Sequence, residues 1–242
     1  MILRRITEHV KAQNWFAVGI DFLIVVVGVF IGIQVANWNA VRMERSQEVE
    51  YVQRLTEDLR QDIKSYDAML EIYSIKQETI LALRDAPLAT VMAGDLKEAA
   101  LRLEYSVYKA MPAQRSATFD DLVGSGTLRL VRNSAFRSAL ADYYANYGRL
   151  SEILAHPIGD YARLLVGAIP GEIPIENLQR SDDATADRIL SALEDLRANP
   201  AFASAANAEI YYGRDISNNL RYFHKQARDL LLILEDPMGK KR

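Results

Sequence analysis

The sequence predicts an all-α protein with a single N-terminal transmembrane helix, a long stalk helix and an extramembrane helical bundle. Three observations carry that prediction. Residues 16–35 read FAVGIDFLIVVVGVFIGIQV, with Asp21 and Gln34 as the only strongly polar side chains. A helix needs roughly 20 mostly apolar residues to cross the hydrocarbon core of a bilayer. Beyond that stretch, apolar residues recur at alternating three and four steps along two long segments. No segment alternates with period two for long enough to make a strand.

The apolar stretch divides the chain into a flank over 1–14, a spanning helix over 15–38, a stalk over 39–84 and a bundle over 85–242. Trp15 and Trp38 bracket it, where aromatic side chains anchor at the two headgroup layers. Residues 22–33 are an unbroken apolar run, which sets it apart from the core helix of a soluble protein. It is too long for the apolar region of a signal peptide, and residues 34–39 (QVANWN) match no small-x-small cleavage site. Arg4, Arg5 and Lys11 precede the span, while Arg42 and Arg45 follow it. That small excess of positive charge predicts a cytoplasmic N-terminus, which for a bacterial source means an inner-membrane anchor and a periplasmic bundle.

Within the span, Gly28 and Gly32 form a GxxxG pair that Ala36 extends. Missing side chains let two helix backbones approach, so this face is the candidate for packing between spanning helices. At about 100° per residue, Asp21 shares that face. A carboxylate inside a membrane helix is expensive and tends to mark function. Three readings compete for Asp21: an interfacial polar residue, a contact in an oligomer, or a titrating group on a proton path.

Residues 41–83 read as one long helix, with Val52, Leu55, Leu59, Ile63, Tyr66, Leu70, Tyr73 and Ile80 on its apolar stripe. Its proximal half is a candidate coiled-coil stalk between protomers. Pro87 and Gly94 make 85–95 a turn region. Residues 96–109 form the next helix, and Pro112 ends it. Thr118 with Asp121 fits a capping box opening a short helix, whose first turn also explains the Asp120–Asp121 pair. Gly124, Ser125 and Gly126 close that helix; they lack the lysine and further glycines of a phosphate-binding loop. Asn133 or Ser134 caps a helix with Phe136, Leu140, Tyr143, Tyr147, Leu150 and Leu154 on one face. Pro157 kinks or ends it. Residues 158–168 follow as a helix, and the loop over 169–183, with Pro170, Gly171 and Pro174, is the first choice for a partner contact. Ser181 or Asp182 caps a helix running to Ala198. A second long helix spans 202–234, closed by Pro237 and Gly239. The two long helices are expected to lie antiparallel.

Two sets of these residues carry a resemblance. Gly19-Ile20-Asp21 through Gly28, then Gln34-Val35 and Asn37-Trp38-Asn39, resemble the N-terminal signature of an uncharacterised family of single-pass bacterial membrane proteins. Asp21 stands where that family usually has Glu, Gly32 where it has Ala, and Ala36 where it often has Asn. Thr118, Leu122, Ser125, Gly126, Leu128, Leu130, Asn133, Arg137, Leu140, Tyr143 and Tyr144 resemble its second signature, with Phe136 in place of the usual Leu. The resemblance implies topology and no particular chemistry. Arg137 is expected to pair with a carboxylate across the bundle or to lie on the surface.

The formal net charge of −3, with no basic stripe, argues against nucleic acid as a partner. No cysteine is present, which excludes a disulfide framework and thiolate metal sites. His9, His156 and His224 are scattered, and no metal-ligand spacing, nucleophile elbow or cofactor motif appears. The expected function is a membrane-anchored helical interaction or sensing module without catalysis or cofactor. Its expected partners are the lipid bilayer, a second copy or another membrane protein, and a periplasmic protein or ligand. The alternative is a subunit of a proton-driven complex, with Asp21 as the titrating group.

Overall fold

The computed structural model describes residues 15–92, 94–154, 159–169 and 183–235. The flank with Arg4, Arg5 and Lys11, the 170–182 part of the candidate partner loop with its Ser181 and Asp182 caps, Pro157, Pro237 and Gly239 lie outside them. The described residues are helical with connecting turns, and contain no strand. By contacts the chain separates into two compact units, residues 1–51 and 52–242.

Helix α1 (Trp15–Asp85) is continuous. No Pro lies within it, and its three glycines, Gly19, Gly28 and Gly32, do not break it. Span and stalk, read as separate segments in the sequence, are thus one helix. In the first unit every described side chain from Phe22 to Met43 is exposed, including Val25, Phe30 and Ile33. In the second unit the same helix buries Leu55, Leu59, Asp62, Tyr66, Met69, Tyr73, Lys76, Ile80 and Leu83. The steps alternate four and three without a slip. The sequence reading put Ile63 and Leu70 on this stripe, but both are only half-buried. It passed over Asp62, Met69 and Lys76 because two of them are charged, although they hold the geometric core positions.

Helix α2 (Leu88–Val91) is a single turn inside the expected turn region, and buries both its ends. Asp95 caps α3 (Leu96–Val107), accepting from the Lys97 amide at 3.2 Å. The helix stops two residues earlier than expected because Tyr108 turns extended, with φ −62° and ψ 131°. Helix α4 (Ala117–Gly124) begins at Ser116, whose Oγ donates to Asp120 Oδ2 at 2.7 Å. Thr118 is therefore inside the first turn and buried, which corrects its assignment as the cap. At the other end Gly126 has φ +69°, Thr127 N–H bonds Leu122 O at 3.0 Å and Gly126 N–H bonds Val123 O at 3.1 Å. This paired closure is a Schellman cap, which requires the left-handed residue that glycine supplies. A 3₁₀ turn (Leu128–Leu130) follows.

Asn133 caps α5 (Ser134–Leu154) by accepting from the Phe136 amide at 3.0 Å. Helix α6 (Asp160–Ala168), α7 (Asp183–Ala198) and α8 (Phe202–Glu235) complete the bundle. On α8 the buried stripe is Phe202, Ala206, Glu209, Gly213, Ile216, Leu220, Phe223, Ala227 and Leu230, again in alternating fours and threes. Contacts between α1 and α8 run Asp67 to His224, Gln77 to Ser217 and Arg84 to Asn207, so the helices are antiparallel.

One end of the core joins Ile80 and Leu83 to α2, α3, α6, α7 and α8 around Tyr161, Ile189 and Phe202. The other end is aromatic: Phe223 lies 5.0 Å from Tyr147 and 6.2 Å from Tyr143 between ring centres. Arg197 closes the end of α1, donating to the carbonyls of Leu83 at 2.8 Å, Ala82 at 3.1 Å and Ala86 at 2.7 Å. Leu83 O is one of the carbonyls a helix C-terminus leaves without an intrahelical partner; Ala82 O is shared with the Ala86 amide at 3.0 Å, and Ala86 O lies just past the helix end.

Candidate functional site

The residues between α3 and α4, 108–116, belong to no helix, so their backbone groups need other partners. Side chains of α1 and α5 supply them. Lys76 Nζ donates to Tyr108 O at 2.7 Å, and Tyr73 OH to Ala110 O at 3.1 Å. Tyr144 OH donates to Arg115 O at 3.0 Å, and Tyr147 OH to Pro112 O. Arg115 N–H donates to Asp62 Oδ1 at 3.0 Å. The connector is thereby stitched along the bundle, and two buried polar groups result.

The first centres on Asp62, 1% exposed. Its Oδ2 accepts from Tyr143 OH at 2.9 Å, and that hydroxyl shares a hydrogen bond with Tyr66 OH at 2.8 Å. The Arg115 guanidinium stands 3.5 Å from Oδ1. Burial raises the Asp62 carboxyl above its ordinary value against the pull of Arg115 and Tyr143. Burial likewise pushes the Tyr66 and Tyr143 phenols up, so both remain protonated donors.

The second joins α1, the connector and α8. Lys76, fully buried, donates to Glu209 Oε1 at 2.5 Å. Lys109 Nζ stands 3.4 Å from Glu209 Oε2 and 4.5 Å from the centre of the Tyr212 ring. Burial draws Lys76 below its ordinary value, and Glu209 opposes that shift. Gly159 closes against the group: a Cβ there would lie 2.8 Å from Lys109 Nζ and 3.3 Å from Glu209 Oε2. Lys109, Glu209 and Tyr212 open onto a cleft of about 770 Å³ whose other walls include Gly159, Tyr161, Arg163, Leu164, Ala201 and Ala205.

The residues singled out in the sequence lie elsewhere, in the first unit. Gly28 and Gly32 meet no atom within 4 Å of where a Cβ would stand, and Gln34 and Ala36 are exposed. Trp38 is 67% exposed. Trp15 and Asp21 lie in the helix, with side chains outside the described residues. This stretch makes α1 long and apolar enough to cross a membrane near the N-terminus, with none of its apolar window buried. Among the described residues Arg137 pairs with no carboxylate across the bundle; it donates to the carbonyls of Val131 at 2.6 Å and Arg132 at 3.1 Å, holding the loop ahead of its own helix. Asp121 takes Arg54 at 3.2 Å on the surface. Asp62, Lys76, Lys109 and Glu209 were missed in the sequence. The signal was available in the strict spacing, which puts three of the four at core positions regardless of their charge.

Neither a curated protein nor a solved structure matches the chain. A family model described as a family of unknown function, DUF6090, matches residues 21–153. The match takes in the whole Asp62 network together with Lys76 and Lys109, while Glu209 and Gly159 fall beyond it. Since it spans more than half of the 242 residues, this chain belongs to the DUF6090 family.

Proposed function

We propose that the chain is a single-pass bacterial inner-membrane protein, N-terminus in the cytoplasm, that presents a helical interaction or sensing bundle to the periplasm. One observation carries the reading. The apolar face of α1 from Phe22 to Val35 is bare all round, while the second unit has a core of its own. Apolar surface on that scale marks an interaction with lipid or protein, and a run of this length fits lipid. The open ground beside Gly28 and Gly32 supports pairing with a second spanning helix. The bundle has a lined cleft, which supports binding as its task.

The test is fractionation of cells carrying the full chain, followed by protease treatment of spheroplasts. The chain should stay in carbonate-washed membranes until detergent is added, and protease outside the spheroplasts should digest the bundle. Recovery in the supernatant would refute the anchor. A bundle protected until the membrane is broken would refute the orientation.

A further inference from the structure

The cleft beside Glu209 holds more positive charge than its ion pairs use. Asp160 and Arg163 on its rim are paired with one another. Beneath it, Lys76 engages Glu209 at 2.5 Å, a charge-assisted hydrogen bond that makes it the closer of the two ammonium partners. Glu209 therefore has one carboxylate for two ammonium groups, and the second is held loosely. Lys109 Nζ stands 3.4 Å from Oε2, beyond hydrogen-bond range for such a pair, and its side chain is 17% exposed on the cleft. Two lysines against one glutamate leave a net charge of about +1 in a site cut off from most of the solvent, where Coulomb terms are large. The walls around that charge are largely apolar, from Leu164, Ala201, Ala205 and the Tyr212 ring. Gly159, the N-cap residue, brings the start of α6 into the same cleft. Its amides add donors of the same sign beside the Lys109 ammonium.

We propose that this cleft binds a small organic anion, a carboxylate or phosphate ester with a compact apolar body, whose acid group pairs with Lys109. The body lies along Leu164, Ala205 and the Tyr212 ring. The Lys76–Glu209 pair stays intact beneath it, so the bundle keeps its buried neutralisation while Lys109 turns to the ligand. Lys109 sits on the 108–116 connector, so occupancy acts on the segment that also reaches Asp62 through Arg115. The proposal gives the sensing reading above a ligand class, and rests on that reading only for its purpose.

The experiment is equilibrium dialysis of the full chain in detergent micelles, with benzoate and inorganic phosphate as probes. One saturable site per chain is expected, with a dissociation constant below about 1 mM. Lys109→Gln should weaken binding at least tenfold. Ala208→Glu, an exposed position on the cleft wall, should do the same without touching the core. Displacement of benzoate by inorganic phosphate assigns the site to soluble acids. Displacement by dihexanoyl-phosphatidylglycerol and not by phosphate assigns it to a lipid headgroup. No saturable binding of either probe, or binding unchanged in both variants, would overturn the proposal. Because micelles remove both anchoring and orientation from the measurement, failure here leaves the anchor standing, and failure of the anchor leaves this result standing.

Discussion

Two stretches of the same helix invert the usual relation between composition and burial. From Phe22 to Val35, α1 is almost wholly apolar and wholly exposed. From Leu55 to Leu83 it carries charges on most faces, and still buries Asp62 and Lys76 to 1% exposure or less. Burial in the second stretch follows position on the stripe, and each buried charge is answered: Asp62 by Arg115 and Tyr143, Lys76 by Glu209 and the Tyr108 carbonyl. Unanswered charge in a low-dielectric interior is too costly to persist. In the first stretch nothing among the described residues answers the apolar surface, and a bilayer is the solvent proposed for it. One helix is thereby fitted to two environments.

The largest test of that contrast places charge in the bare stretch. Val26→Lys with Val29→Lys should cost about 5–7 kcal/mol of insertion free energy, taking about 2.5–3.5 per lysine at the helix centre. The chain should move from the membrane pellet to the supernatant, with the helical content of the bundle unchanged by circular dichroism. The same pair of lysines at the exposed bundle positions Val123 and Tyr211 should leave the pellet fraction unaltered.

Next is the buried ion pair. Lys76→Met leaves Glu209 without its closest partner and should destabilise the bundle by about 3–5 kcal/mol in urea denaturation. Adding Glu209→Met should recover at least half of that loss, because both charges are then gone and Lys109 can turn to the cleft. A double variant as unstable as the single one would show that the lysine acts by shape alone.

The Asp62 network offers a pH test of smaller size. Its carboxyl is raised above the ordinary 3.8 when folded. Between that value and the raised one, the folded chain holds a proton that the unfolded chain has released. This group's contribution to stability is therefore greatest below the window and falls as pH rises through it, remaining low at neutrality. Asp62→Asn removes the slope. Comparing urea midpoints at about pH 4.5 and about pH 7, wild type should lose more on the rise than the variant; equal losses would remove Asp62 from the account.

The smallest effect lies within the bare stretch. Gly28→Ile with Gly32→Ile should reduce chemically cross-linked dimer in membranes several-fold, a change of about 1 kcal/mol. Unchanged cross-linking would dismiss helix pairing on that face.

Much of this was legible in the sequence. The antiparallel long helices, the Asn133 cap and the Gly126 closure follow from spacing and from backbone demands local to a few residues. The buried charges were not legible, because a hydrophobic stripe is traced by skipping charged residues, and Lys76 and Glu209 are 133 positions apart. The stitched connector was equally hidden: nothing in residues 108–116 announces that tyrosines of α1 and α5 will serve their carbonyls. Arg197 capping α1 belongs to the same class, a long-range partner for a local deficiency. Gly28 and Gly32 were legible as a pattern, and among the described residues nothing lies within 4 Å of where their Cβ atoms would stand.

The most direct measurement uses the absence of cysteine from the chain. Single cysteines introduced in turn at Val25, Phe30, Val123 and Tyr211 can be probed with a water-soluble maleimide in native membranes. All four positions are exposed in the isolated chain. The account predicts that Cys at 123 and 211 reacts readily, while Cys at 25 and 30 reacts only after detergent disrupts the bilayer. Ready labelling at 25 and 30 in intact membranes would mean that water, not lipid, covers this stretch, and would contradict the account.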